Sequence, residues 1–153
     1  MRVAVTGSSG LIGQALCERL RQEGHTVIRM VRTRSMQAND TCYWNPEIRE
    51  IDSARLVETD AVVHLAADPS QTAPWESVLP HNLVGTYNAL EACRIHGVKR
   101  MIFASSNHAV GMYERDHPYH HIVKGEYEKV DVSPIPQVTH TSPVRPDGFY
   151  GIS

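Results

Sequence analysis

Several common signals are missing from this chain, and each absence removes a class of function. No apolar run approaches the roughly 18–20 residues that a membrane-spanning helix needs. Too few apolar residues precede Gly7 to make a secretory leader. Only three cysteines occur, Cys17, Cys42 and Cys93, widely spaced and with no Cys-x-x-Cys pair. That pattern argues against a disulfide framework and points to a reducing compartment, the cytoplasm. Charge of one sign is missing too: 15 Lys and Arg face 17 Asp and Glu, a formal net charge of −2. A basic surplus for nucleic acid and a charge block for an interaction tail are both absent. No Gly-x-x-x-x-Gly-Lys-Ser/Thr occurs, which disfavours a nucleoside triphosphate site. There is no internal repeat and no low-complexity tract.

What is present is an alternation. Arg2–Thr6 reads as a short buried strand. From Leu11 the pattern turns helical, with Leu11, Ile12, Ala15, Leu16 and Leu20 on one face, and Gly24 stops it. Residues 26–31 form a second strand, 42–44 a short third, and 60–67 a strongly apolar fourth. Residues 82–96 are helical, with Leu83, Tyr87, Leu90 and Cys93 at three-to-four spacing, and 98–104 form the next strand. Strands alternating with helices predict an α/β fold: a Rossmann-type, doubly wound parallel sheet with helices on both faces. The strands lack inside–outside alternation, as expected where both faces are covered. A chain of 153 residues buries roughly 70% of its unfolded surface, enough for one domain spanning 1–153. Residues 112–148 stand apart, with five prolines, four histidines and no period. Such a stretch reads as a functional loop or as partly disordered.

The glycine turn is the strongest chemical signal. Gly7-x-x-Gly10-x-x-Gly13 lies between a strand and a helix. There Gly7 permits the tight turn, Gly10 lets backbone approach a pyrophosphate, and Gly13 lets helix and strand pack closely. The second strand then ends Ile28-Arg29-Met30-Val31-Arg32-Thr33-Arg34. The carboxylate that usually holds the ribose hydroxyls of NAD is missing there. Arg32 and Arg34 instead suit a 2′-phosphate. The expected cofactor is therefore NADP or NAD, with NADP modestly favoured.

Taken in order, these features resemble the extended short-chain dehydrogenase/reductase superfamily, the NAD-dependent epimerases and dehydratases. The residues that carry the likeness are the glycine turn, His64-Leu-Ala-Ala67, Asn82-Leu-Val-Gly-Thr-Tyr-Asn-Ala-Leu-Glu-Ala92, Phe103-Ala-Ser-Ser106 and Tyr150-Gly-Ile-Ser153. The first half, with Tyr43-Trp44-Asn45-Pro46, resembles an epimerase-like branch that prefers the phosphorylated cofactor. The second half resembles uronate dehydrogenases and archaeal NAD-dependent glucose-6-phosphate dehydrogenases. It does so through Ala73-Pro74-Trp75-Glu76, Ser105-Ser106-Asn107-His108 and Arg145-Pro146-Asp147-Gly148.

The resemblance implies a sugar oxidoreductase that oxidises a ring hydroxyl of a uronate or sugar phosphate to a lactone. The alternatives are a nucleotide-sugar epimerase or dehydratase, and a truncated chain that binds dinucleotide without catalysis. The resemblance implies cofactor contacts from Gly7, Gly10, Leu11, Ile12, Gly13, Leu65, Ala66, Ala67, Asn82 and Tyr150, beside Arg32 and Arg34. It implies Ser106 and Tyr150 as the catalytic pair, and Ser106, Asn107 and His108 as sugar contacts. Tyrosine is a poor base at its ordinary pKa of about 10, so the family sets a lysine one helical turn later. That position falls beyond Ser153, and so does the substrate lobe. The chain is expected to be C-terminally truncated, with an uncovered edge at strand 98–104 through which copies could associate. His117-x-x-His120-His121 invites a metal reading. No cysteine or carboxylate accompanies it at a convincing spacing, and the local pattern is not clearly helical, so no metal is expected.

Overall fold

The apolar segment Arg2–Thr6 (β1) sits near the centre of a sheet. The protein is described here by a computed structural model covering residues 1–33, 39–45, 47, 50, 51 and 53–153. β1 pairs in parallel with Thr26–Val31 (β2) on one side and Ala61–His64 (β5) on the other. Thr41–Asn45 (β3) extends the sheet beyond β2, and Met101–Phe103 (β6) extends it beyond β5, both in parallel. Glu50–Ile51 (β4) adds a short antiparallel edge to β3. Among the described residues the strand order is β4-β3-β2-β1-β5-β6. The chain builds outward from β1 to β4, then returns to the other side of β1. The reversal sets the carboxyl ends of β1 and β5 side by side, the position where open α/β sheets bind ligands.

The expected parallel α/β sheet is therefore present. Neighbouring β1 residues point to opposite faces. Val3 and Val5 pack with Cys17, Val27 and Val63, and Ala4 packs with Ile28, Met30, Trp44, Val62, Ala89 and Cys93. The core thus has two layers, one on each side of the sheet. Leu11–Gln22 (α1) covers the first layer and Gly85–Ile95 (α4) the second.

Both helices differ from expectation in which face is buried. On α1 the buried residues are Gly13 and Cys17, flanked by half-buried Leu16 and Leu20. Leu11, Ile12 and Ala15 are exposed, Leu11 at 91% of its surface. The reason is close approach: a Cβ on Gly13 would lie 2.2 Å from the Gly7 carbonyl oxygen. The helix touches the sheet through its glycine, which turns the apolar residues of its first turn outward. On α4 the buried residues are Gly85, Asn88, Ala89, Ala92 and Cys93, while Tyr87 and Leu90 face solvent. Small residues again let the helix lie close to the strands.

The helical run also starts earlier than residue 82. Trp75–Val78 (α3) leads into a π-helical segment, Leu79–Val84, and then into α4. Pro80 accounts for the widened turn, since proline lacks an N–H and crowds the carbonyl four residues before it. Ser53–Leu56 (α2) contributes buried Leu56 to the core.

Residues 1–68 and 75–104 form one compact unit, and 69–74 with 105–153 form a second. The second unit contains a 3-10 helix at Asn107–Arg115, a short helix at Tyr119–Val123 (α5), a 3-10 turn at Tyr127–Lys129 and a helical turn at Phe149–Ile152 (α6). Residues 112–148, which show no period in the sequence, are built from these short pieces. No described helix is long and apolar enough to cross a membrane.

Candidate functional site

In the first unit, the turn after β1 has the geometry of a phosphate cradle. Gly7 has a φ of +64°, and a Cβ there would sit 2.8 Å from the Leu65 carbonyl carbon. A side chain is excluded on both counts. The Gly10 N–H donates to the Gly7 carbonyl, closing the turn. α1 then opens at Gly10 with no side-chain cap and no acidic residue in its first turn. Its leading N–H groups and positive dipole end are therefore available to an anion. Exposed Leu11 and Ile12 stand on this same first turn. Fit to a dinucleotide pyrophosphate thus rests on a glycine-lined, uncapped helix start at the sheet's switch point.

The β5 side of the cradle is held by a buried threonine that the sequence reading did not single out. Thr6 Oγ1 accepts the N–H groups of Leu65 (3.0 Å) and Ala66 (3.1 Å). With its lone pairs engaged, the hydroxyl donates to His64 Nδ1 at 2.8 Å. His64 is then the Nε2–H tautomer, and Nε2 donates to Thr86 Oγ1 at 3.2 Å. Burial alone pushes His64 down to about 4, so the ring is neutral at physiological pH. His64 is a satisfied strand-end residue that sets the path of Leu65–Ala67. A buried polar residue at the end of β1, opposite a strand-end histidine, was the available signal for Thr6.

Asn82 lies in the π-helical segment and is buried. Its Oδ1 accepts the Asp68 N–H at 2.7 Å, and its Nδ2 donates to the Asp68 carbonyl at 3.2 Å. Asn82 therefore clamps the backbone just beyond Ala67. π turns recur at functional positions. Arg32, at the end of β2, is exposed. Arg34 lies outside the described residues. The next carboxylate along the chain, Asp40, is engaged by Arg21 at 2.9 Å and Arg29 at 3.2 Å. The hydrogen bond from Arg29 holds that carboxyl below its usual range.

The second unit gathers the residues expected to do chemistry. Ser106 caps the 3-10 helix, its Oγ accepting the His108 N–H at 3.2 Å. Its own proton has only a long contact, 3.4 Å, to Asn107 Oδ1. His108 Nδ1 donates to Asp147 Oδ2 at 2.7 Å, since a carboxylate can only accept. This leaves Nε2 as the ring nitrogen that Asp147 does not engage. The His108 ring meets the Tyr150 ring edge-on, with centroids 5.6 Å apart. Ser106, His108, Asp147 and Tyr150 are thus joined by direct contacts, and Asn107 touches Ser106.

Asp147 was named in the sequence only as part of Arg145-Pro146-Asp147-Gly148, with no role attached. The structure shows why that segment matters. Residues 108–112 and 145–147 pair through backbone bonds, Arg145 N–H to Ala109 O, Met112 N–H to Arg145 O and Asp147 N–H to His108 O. A Cβ on Gly111 would lie 2.0 Å from Asp147 Oδ2, so a side chain there would push the carboxylate away from His108. Arg145 pairs with Asp116 and lies 4.6 Å over the Tyr113 ring, anchoring the return strand. A carboxylate beside proline and glycine, 39 residues from its histidine, leaves little local trace.

Comparison with known proteins follows the same lines. Residues 3–153 match the NAD dependent epimerase/dehydratase family. The L-arabinose 1-dehydrogenase (NAD(P)(+)) of Haloferax volcanii is 34% identical over 153 residues, covering 99% of this chain and 56% of that protein. The uronate dehydrogenase of Pseudomonas syringae pv. tomato is 35% identical over 161 residues, covering 99% of this chain and 50% of that protein. A solved structure of a mutant uronate dehydrogenase from Agrobacterium tumefaciens, complexed with NAD, superposes with a TM-score of 0.73 at 28% identity. That likeness covers 99% of this chain and 51% of the other. The chain thus spans about half the length of these relatives.

Proposed function

Because this chain belongs to the NAD dependent epimerase/dehydratase family, we propose that it carries the cofactor and acid–base residues of an NAD(P)-dependent sugar dehydrogenase. Its relatives include dehydrogenases of arabinose, uronates and glucose 6-phosphate. The reaction proposed is oxidation of the anomeric hydroxyl of a uronate or related sugar to a lactone. A nicotinamide, when bound, supplies the hydride acceptor. The glycine turn at Gly7, Gly10 and Gly13 would hold its pyrophosphate, with Leu11 and Ile12 beside it. Leu65–Ala67 and Asn82 would line the side of the cofactor nearer β5. Arg32, and Arg34 with it, would pair with a 2′-phosphate, favouring NADP.

The Ser106–His108–Asp147–Tyr150 cluster carries this reading. In the proposed step Tyr150 acts as the base that takes the substrate hydroxyl proton, the carbon-bound hydrogen leaves as hydride to a bound nicotinamide, and a carbonyl remains. Ser106, whose hydroxyl makes only a long contact to Asn107, can turn its proton to the substrate oxygen as charge develops there. His108, fixed by Asp147, presents Nε2 to a neighbouring hydroxyl, and Asn107 offers a second contact. Two features support a carbohydrate over an apolar substrate. The presented groups are hydrogen-bonding, and the His–Asp pair costs nothing further to orient.

The test is nicotinamide reduction by the protein bearing this chain, assayed with uronates, aldoses and sugar phosphates. Net accumulation of reduced cofactor that is lost in Tyr150→Phe supports the dehydrogenase. Interconversion of a nucleotide sugar without net reduction would overturn it in favour of an epimerase.

A further inference from the structure

The motif His117-x-x-His120-His121 plays no part in the proposed reaction, and its surroundings differ from what its sequence suggests. Residues 119–123 are helical, as α5, so His120 and His121 leave one helix while His117 stands one turn before them. Spacings of three and four residues share a face. One ligand nitrogen from each of the three histidines lies within 4.8 Å of the other two. In a tetrahedral zinc shell, with Zn–N bonds of about 2.0–2.1 Å, ligand nitrogens stand about 3.3 Å apart. Small side-chain rotations close that gap.

Two further observations point the same way. His120 Nδ1 is buried with no hydrogen-bond partner. A buried nitrogen without a partner is costly and calls for an explanation. The carboxylates missing from the local sequence arrive from the following loop. Asp131 Oδ1 lies 2.8 Å from His117 Nε2, and Glu126 Oε2 lies 2.9 Å from His121 Nδ1. Each carboxylate occupies one ring nitrogen and leaves the other, His117 Nδ1 and His121 Nε2, free to bind. Carboxylates behind the ligand histidines are the usual support of a metal site, fixing the ring and raising its basicity.

We propose that His117, His120 and His121 form a binding site for a divalent transition metal of the kind imidazole suits, such as zinc, with Asp131 and Glu126 as supporting partners. Three nitrogens leave a fourth position open to water or a carboxylate oxygen. The bound ion ties α5 to residues 126–131 and so stabilises the long segment that carries Asp147.

The experiment uses the untagged 153-residue chain, stripped with chelator and titrated with Zn²⁺, and separately with Co²⁺ as a spectroscopic probe. The expected result is saturation near one equivalent, visible absorption bands from Co²⁺ that Zn²⁺ abolishes, and a rise in melting temperature with added zinc. His117→Gln and His120→Ala should each weaken binding at least about tenfold. Asp131→Asn should weaken it about 10–100-fold, the range seen for supporting partners. His96→Ala should change nothing. His117 is the exposed member, so its variant covers the case in which His120→Ala fails to fold. Saturation below about half an equivalent, or affinity unchanged in His117→Gln, overturns the site. Neither outcome depends on the sugar dehydrogenase reading, because no step of the titration requires turnover.

Discussion

Each of the two units is held together internally by a different kind of force. In residues 1–68 and 75–104 the strands bury Val3, Val5, Ile28, Trp44, Val62 and their neighbours in two apolar layers. In residues 69–74 and 105–153 few side chains are fully buried. That unit is joined by side-chain polar bonds: Tyr119 Oη to the Pro136 carbonyl, Tyr113 Oη to the Pro143 carbonyl, Arg145 to Asp116 and His108 to Asp147. Apolar burial is non-directional and is not weakened by charge screening, whereas exposed ion pairs are weak and screened. The proposed cofactor residues thus stand on the apolar-cored unit, and the groups proposed to touch substrate stand on the unit built from short loops and turns, as is common for loops that carry function.

The largest expected effect breaks the first unit at its turn. Gly13→Ala places a methyl 2.2 Å from the Gly7 carbonyl oxygen. Backbone cannot yield cheaply there, so the loss should reach or exceed about 3 kcal/mol. Dinucleotide binding should vanish with it. Chemical denaturation and a cofactor titration measure both, and a stable variant with unchanged affinity would show that the turn is not the cradle.

Ser106→Ala and Tyr150→Phe should act on the other unit only. Each should lower turnover about 10²–10³-fold, and in Ser106→Ala, which loses no expected cofactor contact, cofactor affinity should stay within about twofold. Equal losses in both quantities would mean that the two units do not divide the work.

Acid should strike the first unit through His64, whose burial lowers it to about 4. The unfolded chain takes up that proton near pH 6.5, and the folded chain refuses it until about pH 4. The contribution is thus complete above pH 6.5 and is lost as pH falls toward 4, on the order of 3 kcal/mol in all. Denaturant melts across this range test it, with His64→Gln as the variant whose acid slope should flatten.

Arg32→Ala should lower affinity for NADP about tenfold and leave that for NAD nearly unchanged, the loss of one charge-assisted contact. Equal losses for both cofactors would remove the 2′-phosphate reading. The smallest effect should come from salt. Raising ionic strength to about 1 M screens exposed pairs, so amide exchange should quicken around Asp116 and Arg145 before it changes in β1 or β5.

Much of this was legible along the chain, because local patterns repeat at short range. The strands and the glycine turn declare themselves within a few residues, though the strand expected over 98–104 is only Met101–Phe103 and the helical run expected from 82 begins at Trp75. The burial of Gly13 rather than Leu11, and of Ala89 rather than Leu90, was not legible. Periodicity shows that a helix has an apolar face. How closely the helix approaches the sheet then depends on the smallest residues.

Sequence by itself determined the parallel α/β sheet, the glycine turn after β1 and the absence of a carboxylate at the end of the second strand. Each of these depends on residue types at fixed local spacing. Only the tertiary structure decided that Asp147 orients His108, that Thr6 holds the start of Leu65–Ala67, and that Asp131 and Glu126 pair with His117 and His121. A polar contact between distant residues has no period and no required spacing. It becomes visible only when backbone pairing has brought a donor and an acceptor to within 3 Å, as at His108 Nδ1 and Asp147 Oδ2.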